Sequence, residues 1–163
     1  MLKPAHSISV KRRIAAAPER LYALIADYHV GHPSILPRQF SNLVVEKGGV
    51  GAGTLIRFDM RLLGRTRTCR ASITEPRPGR VLVERDLDGR TVTTFRVDPG
   101  PTGHESDVTI ETQFTAWRGP FGILQGALLK RLITPLYEKE LLKLRARATG
   151  ATKRTATEAN APA

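Results

Sequence analysis

The sequence contains little cysteine and no long apolar run. Its single cysteine, Cys69, cannot form an internal disulfide. No stretch approaches the ~18 uncharged apolar residues that a membrane-spanning helix requires, and the first residues, MLKPAHSISV, lack the apolar stretch of a signal peptide. These absences predict a cytoplasmic protein, in which Cys69 is a small buried strand residue rather than a nucleophile.

Acidic residues are also scarce, because 15 aspartates and glutamates stand against 26 lysines and arginines, for a net charge of +11. A nucleic-acid partner would normally require aromatic residues among the basic ones, or a recognisable binding motif. Aromatic residues make up only 6% of the chain, and the basic residues are scattered along it. We therefore predict a solvated basic surface with no specific nucleic-acid partner and only weak contact with anionic membranes.

The glycine-rich stretch EKGGVGAGT, residues 46–54, lacks both the lysine and the following helix of a phosphate-binding loop. The segment after it, LIRFDMRLL, alternates apolar and polar residues as a strand does. A short apolar run before it, LVV, also has the character of a strand. Because a glycine-rich connection between two strands is typical of a hairpin, we predict a hairpin here and no cofactor.

The chain begins with one strand and one helix. Apolar residues alternate from Ile8 to Ile14, which predicts a strand. In AAAPERLYALIADY, Pro18 suits a first helical turn, and apolar residues recur at helical spacing from Leu21 to Tyr28. The next segment, HVGHPSILPRQ, is interrupted by glycine and proline and leaves room for one short helical turn.

Six further strands follow with no helix between them, which predicts antiparallel hairpins. The turns between them are marked by glycine, proline and aspartate. The last strand alternates apolar and polar residues cleanly, which is typical of a sheet with one covered face. We expect the strands at about residues 40–47, 53–62, 65–75, 80–87, 90–98 and 106–117.

One long helix is predicted from Phe121 to about Arg147. Pro135 lacks a backbone N–H and is expected to kink it. The residues after the helix are rich in alanine, threonine and lysine, so we predict a folded domain over residues 1–148 and a disordered tail over residues 149–163. Before Pro135 the predicted apolar stripe of the helix consists of Phe121, Leu124, Leu128 and Leu132, flanked by Leu129 and Ile133, and beyond Pro135 it consists of Tyr137, Leu141 and Leu144.

The order of these elements resembles the helix-grip fold of the START-like superfamily, also called SRPBCC. The segments that carry the resemblance are ISVKRRIAAAPERLYALIADY with the following HPS, the hairpin GGVGAGTLIRF, and RGPFGILQGALLKRLITPLYEKELLKL. They are most similar to the bacterial polyketide cyclase/dehydrase and lipid-transport group, over residues 6–147. The resemblance implies an α+β fold in which a curved seven-stranded antiparallel sheet wraps around a long C-terminal helix, with two short helices after the first strand.

Similar proteins have a deep cavity between the curved sheet and the long helix, with the glycine-rich hairpin near one end. One helix cannot fill the concave face of a strongly curved sheet, so inward-facing residues are expected to line a cavity. Each of them, taken alone, is at least as readily explained as a core residue. The candidate ligand-binding residues are Phe58, Met60, Thr93, Phe95, Val97, Ile110, Thr112, Phe114, Leu128 and Leu132.

Polar residues on predicted inward faces, or in the loop after the first helix, are candidate contacts to a ligand oxygen. They are Arg12, Arg67, Arg85, His29 and His32. The arginines are also compatible with strand ends, where their stems reach water. The two histidines do not by themselves make a metal site, because zinc requires at least three protein ligands. We predict no metal and assign no catalytic residue.

Together these observations predict a protein that binds a hydrophobic small molecule, such as a lipid, an isoprenoid or a polyketide-like compound. An enzyme of the cyclase or dehydratase type that uses the same cavity is the first alternative. A basic peripheral membrane or partner-binding module is the second. The sequence leaves the choice between a monomer and a homodimer open.

Overall fold

The computed structural model describes residues 6–115 and 119–158, with side chains as far as residue 150. Strand β1 (His6–Ile14) is followed by the short helices α1 (Pro18–Ala26) and α2 (Gly31–Ile35). The long helix α3 (Pro120–Glu158) comes last. The six strands between the helices are β2 (Phe40–Lys47), β3 (Leu55–Leu62), β4 (Arg65–Arg77), β5 (Val81–Asp86), β6 (Thr91–Pro99) and β7 (Ser106–Phe114).

The strands form one seven-stranded sheet in the order β1-β7-β6-β5-β4-β3-β2, and every neighbouring pair is antiparallel. Register shifts interrupt the β2–β3 and β4–β5 pairings, and such irregularities bend and twist a sheet locally. The curved sheet, the two short helices and the long C-terminal helix confirm the predicted helix-grip fold.

The observed elements begin and end close to their predicted bounds, with two differences. Strand β7 ends at Phe114, before its predicted end at residue 117, and residues 116–118 lie outside the described residues. Helix α3 continues past Arg147 to Glu158, so the alanine-rich and threonine-rich composition of this segment misled the prediction of the helix end. The division into a domain and a tail over residues 149–163 stays a prediction, and residues 159–163 lie outside the described part.

Helix α1 begins with Pro18 and has Glu19 in its first turn. Proline is favoured at the first position of a helix, and an acidic side chain is favoured at the positive end of the helix dipole. The chain then turns around Asp27, whose carboxylate accepts hydrogen bonds from the backbone N–H groups of His29 at 3.0 Å and Gly31 at 3.1 Å. Gly31 allows α2 to touch α1, because a Cβ there would lie 2.5 Å from the carbonyl oxygen of Leu24.

The glycine-rich loop joins β2 to β3, and this confirms the predicted hairpin. It packs against the end of α1, since the Tyr28 N–H donates to the Gly49 carbonyl at 2.8 Å and the Gly51 N–H donates to the Ala26 carbonyl at 2.9 Å. Gly51 has a φ of +61°, and a Cβ there would lie 2.4 Å from a carboxylate oxygen of Glu75. The glycines therefore serve close backbone packing.

The buried face of α3 differs from the stripe predicted for it. Phe121 and Leu124 are 71% and 68% exposed, and Leu128 is 45% exposed. For the first turns the predicted face was wrong, because apolar residues occur there on more than one side and periodicity did not single out one face. Beyond Pro135 the predicted residues Tyr137, Leu141 and Leu144 are buried, as expected. No helix among the described residues is long and apolar enough to cross a membrane. Apart from Gly122, the residues buried on α3 as far as residue 150 are Ile133, Leu136, Tyr137, Glu140, Leu141, Leu144 and Ala148.

Candidate functional site

A cavity of about 120 Å³ lies between the concave face of the sheet and α3. An apolar cavity of roughly 150 Å³ takes up one benzene ring in another protein, so this cavity has room for about one ring. Apolar side chains from β2, β3, β6, β7 and α3 make most of its wall. Such a cavity binds by excluding apolar surface from water.

Eight of the fifteen predicted site residues line this cavity. Phe58 and Met60 come from β3, and Phe58 packs edge-on against Phe40 of β2 with ring centroids 6.0 Å apart. The alternation of β3 therefore predicted its inward face correctly. The eight residues are Phe58, Met60, Thr93, Phe95, Thr112, Phe114, Arg67 and His32.

Four predicted apolar lining residues lie elsewhere. Val97 and Ile110 are completely buried in the core. Leu128 and Leu132 do not line the cavity, because α3 turns a different face toward it than we predicted. Leu129 and Ile133, the next residues along the chain, line it instead. A shift of one residue rotates a helical side chain by ~100°, which moves it from the cavity wall toward solvent.

Three of the predicted polar contacts also lie outside the cavity. Arg12 is half-buried on β1, and its Nε has no hydrogen-bond partner among the described residues. His29 is exposed and lies beside the glycine-rich loop, where a Cβ on Gly49 would be 1.9 Å from its Nε2. Arg85 is exposed on the outer face of β5. No group of three metal-ligating side chains is found in the part of the chain that the structure describes.

Strand β5 presents Glu84 and Asp86 to the cavity, not Arg85. The continuous apolar run Val81-Leu82-Val83 allowed either face of this strand to be chosen as the inward one, and we chose wrongly. The hairpin register contained the missing signal. Glu84 pairs directly with Thr93, and residues directly opposite each other in an antiparallel pair lie on the same face.

Glu84, Thr93 and Thr112 form a polar row across β5, β6 and β7, because each pairs directly with the next. The Thr93 and Thr112 hydroxyl oxygens are 2.7 Å apart. Thr112 also hydrogen-bonds the hydroxyl of Tyr137 on α3. Burial raises the pKa of Tyr137 above its ordinary value, so this chain of hydroxyls stays neutral.

At one end of the polar row, Glu84 is held by two residues that follow α1. The Tyr28 hydroxyl donates to Glu84 Oε1 at 2.5 Å, and His32 Nε2 lies 3.5 Å from the same oxygen. The other ring nitrogen of His32, Nδ1, donates to the Ile25 carbonyl at 2.8 Å. Stacking on Tyr28, with ring centroids 4.5 Å apart, fixes the His32 ring.

Glu140 of α3 faces the same end of the cavity and was missed in the sequence. It is 2% exposed, and its Oε1 has no hydrogen-bond partner among the described residues. Burial, followed by the effect of the nearby Glu84 carboxylate, raises the pKa of Glu140 well above its ordinary value, against the opposing effect of Lys143. The available signal was its position, because Glu140 interrupts the apolar stripe formed by Tyr137, Leu141 and Leu144.

The opposite end of the cavity contains charged groups that are already paired. Arg67 lies 2.9 Å from Asp86 and 2.8 Å from Asp88. Cys69 lies beside it, and burial raises the pKa of the Cys69 thiol above its ordinary value. A protonated thiol is a poor nucleophile, so Cys69 has the character of a structural residue in the cavity wall.

The cavity wall includes residues at the end of the sheet where β3 and β7 stop. Leu62, Phe114 and Leu129 line it there and are half-buried. The ring of His6 contacts the carbonyl of Gly122 at 2.7 Å, which fixes the start of α3 at this end. This end of the wall therefore contributes apolar surface that is partly accessible to solvent.

A family model described as "Polyketide cyclase / dehydrase and lipid transport" matches residues 5–149. No curated protein matches the chain in sequence.

Among solved structures, the KanY protein (ms6282) is 26% identical, with a TM-score of 0.71 over 88% of this chain and 97% of that one. A START superfamily protein from Mycobacterium smegmatis is 15% identical, with a TM-score of 0.69 over 90% of this chain and 99% of its own. The Zhui aromatase/cyclase from Streptomyces sp. R1128 is 16% identical, with a TM-score of 0.68 over 88% and 93%. At such identities the last two similarities show the fold alone.

Proposed function

Because the chain belongs to the polyketide cyclase/dehydrase and lipid transport family, we propose that it binds a hydrophobic small molecule in the cavity between the sheet and α3. The observation that carries the proposal is the cavity itself, whose wall is mostly apolar and contains one polar group made by Glu84, Thr93, Thr112, Tyr137 and Glu140. A lipid, an isoprenoid or a polyketide-like compound has the matching character, with an apolar body and few polar groups.

The energetics favour an apolar ligand. Removing one aromatic or branched aliphatic group from water contributes about 1.5–3 kcal/mol. The cavity wall needs no new secondary structure to form, so little of this free energy is spent on ordering the protein. A ligand longer than one ring would extend along Leu62, Phe114 and Leu129, which are half-buried in the cavity wall.

An enzyme of the cyclase or dehydratase type is the second candidate, and the acid groups at the buried end favour it. Glu140, whose pKa is raised well above its ordinary value by burial and by the Glu84 carboxylate, has the character of a general acid for a ligand oxygen. The Glu84 carboxylate, oriented by Tyr28 and His32, has the character of a base for a neighbouring carbon. Two carboxyl groups in different environments are typical of acid–base catalysis.

Uptake of an apolar fluorescent probe tests the binding proposal. Leu129→Trp places a larger side chain in the cavity wall, and we expect it to weaken probe binding because it fills part of the space. Leu128→Trp is the matched control on the same helix, since Leu128 is 45% exposed and does not line the cavity. Titration of the probe by fluorescence, with melting temperatures of both variants, measures the effect.

Equal probe binding by both variants and the wild-type protein would show that the probe does not occupy this cavity. Native mass spectrometry of freshly purified protein gives an independent readout, in which we expect a co-purified apolar molecule. Conversion of a linear polyketone to a dehydrated or cyclised product, followed by liquid chromatography and mass spectrometry, separates the enzyme from the binding protein. Loss of this conversion in Glu140→Gln would support the enzyme.

The cellular location and assembly belong to the same proposal. We place the protein in the cytoplasm on the basis of its single cysteine, and either a monomer or a homodimer is compatible with the cavity.

A further inference from the structure

The buried end of the cavity contains one polar atom that is left for a ligand. Glu140 Oε1 is buried and has no hydrogen-bond partner among the described residues. Buried polar groups in proteins are nearly always hydrogen-bonded. Leaving one unpaired costs about 1–3 kcal/mol, and a bound group that pairs with it removes this cost.

The other polar groups around it already have partners. Glu84 accepts a hydrogen bond from Tyr28 and lies 3.5 Å from His32 Nε2. The hydroxyls of Thr93, Thr112 and Tyr137 bond to one another. Each of these groups therefore has at least one partner, whereas Glu140 Oε1 has none among the described residues.

The charges around Glu140 exclude an anionic ligand group. Glu84 stands beside Glu140 on the facing strand, and the cations nearby are held by other groups. Arg67 is paired with Asp86 and Asp88, and Lys143 donates to the Leu36 carbonyl at 2.6 Å. A carboxylate or phosphate at this position would be desolvated beside carboxyl groups without a free cation.

A cationic group fits poorly as well, because burial favours the neutral form of Glu140. An ammonium would lose its hydration beside this carboxyl and beside Glu84, which already accepts a hydrogen bond from Tyr28. A hydroxyl fits whichever oxygen carries the Glu140 proton. It accepts a hydrogen bond from a protonated Oε1, and it donates to Oε1 when the proton is on the other oxygen.

We propose that Glu140 binds the hydroxyl group of an otherwise apolar ligand, an alcohol or a phenol, and that the cavity rejects ligands whose buried end is anionic. This inference rests on the proposed function, because it names the class of ligand that enters the same cavity. Fatty acids and phospholipids that enter head first are excluded, and alcohols of lipid, isoprenoid or polyketide origin are retained.

Four probes with one aromatic frame test the inference. They are naphthalene, 2-naphthol, 2-naphthoate and 2-naphthylmethylammonium, compared at pH 7 by competition against a fluorescent apolar probe. We expect 2-naphthol to bind roughly three- to tenfold more tightly than naphthalene, the value of one net hydrogen bond. We expect the naphthoate and the ammonium to bind more weakly than naphthalene.

Variants at one position assign the preference to Glu140. Glu140→Gln keeps a donor and an acceptor, so we expect the naphthol preference to persist. Glu140→Leu removes both, and we expect equal affinities for naphthol and naphthalene. Glu138→Gln is the matched control, because Glu138 is an exposed glutamate on the same helix. We expect this variant to prefer naphthol over naphthalene as strongly as the wild-type protein does.

Tighter binding of naphthoate or of the ammonium than of naphthol would overturn the inference, as would a naphthol preference that persists in Glu140→Leu. The wild-type comparison alone tests the head-group preference, so the inference stays testable if a variant does not fold. Its failure differs from failure of the proposed function. If none of the probes competes, the cavity does not bind apolar molecules. If naphthalene competes and naphthol has no advantage, only the role of Glu140 is wrong.

Discussion

At the scale of single residues, Glu140 is the least expected feature of the molecule. Its neighbours Tyr137, Leu141 and Leu144 form the buried face of α3, and an acidic residue among them costs free energy that an apolar one does not. Proteins retain such groups mainly where they serve a site. Both the free-energy cost of burying Glu140 and its position in the cavity wall therefore indicate a role in the cavity.

The pH dependence of stability should reveal this cost. Because the folded pKa of Glu140 is raised above its unfolded value, the folded state binds the extra proton, and its stability falls as pH rises above the ordinary glutamate pKa until the raised value is passed. Glu140→Gln cannot ionise. We expect its stability relative to the wild-type protein to grow with pH, by up to about 1.4 kcal/mol per pH unit in that window.

Urea unfolding of both proteins between pH 4 and pH 9 measures this difference. Glu138→Gln should show little pH-dependent difference from the wild-type protein, because Glu138 is exposed. A constant difference between Glu140→Gln and the wild-type protein over the whole range would mean that Glu140 ionises in the folded state as it does in the unfolded one.

At the scale of the elements, the short helix α2 carries His32 to the cavity by packing against α1. The contact depends on Gly31, since a Cβ there would lie 2.5 Å from the Leu24 carbonyl oxygen and 3.0 Å from the Leu24 Cα. Both atoms belong to the backbone of α1, which cannot rotate away as a side chain does. The position of His32 relative to Glu84 therefore depends on a residue outside the cavity.

Gly31→Ala should separate the two helices. We expect a loss of about 1–3 kcal/mol in stability from overpacking, together with weaker probe binding, because His32 moves away from the cavity. Gly150→Ala is the control, since a Cβ there meets nothing within 4 Å and a helical alanine is favoured by about 0.5–1 kcal/mol. Thermal unfolding and probe titration give the two readouts, and unchanged stability in Gly31→Ala would mean that α1 and α2 adjust freely to each other.

At the scale of the whole molecule, the most prominent feature is the net charge of +11, which the cavity does not explain. Many of the basic residues lie in exposed positions and extend into solvent. A surface of this kind attracts anionic surfaces over a distance set by the salt concentration. This attraction is independent of the ligand and of the fold.

Vesicle sedimentation tests the attraction. We expect the protein to sediment with vesicles that contain anionic lipid at low salt, and to be released near 1 M salt, where the screening length falls to about 3 Å. Neutral vesicles are the control and should not bind. Binding that persists at high salt would instead indicate insertion of apolar side chains, such as the exposed Phe121 and Leu124 at the start of α3.

The sequence alone was sufficient for the order of the elements, the antiparallel sheet, the glycine-rich hairpin and the inward faces of β3 and β7. These depend on local turn chemistry and on strict alternation, as from Phe58 to Met60 and from Thr112 to Phe114, which any strand in a sheet with one covered face must follow. Their physical basis lies within a few neighbouring residues. The pattern therefore carried enough information without a tertiary structure.

Only the tertiary structure decided which face of β5 and which face of α3 turn toward the cavity. Both elements have apolar residues on adjoining faces, so local burial is satisfied in more than one orientation. The orientation is set when the sheet curves and α3 docks on it, and this brings Glu84 and Glu140 to the same cavity. Glu84 is itself oriented by a hydrogen bond from Tyr28, which lies 56 residues away in the sequence. Convergence of polar groups from distant segments depends on packing between elements, and no local periodicity encodes it.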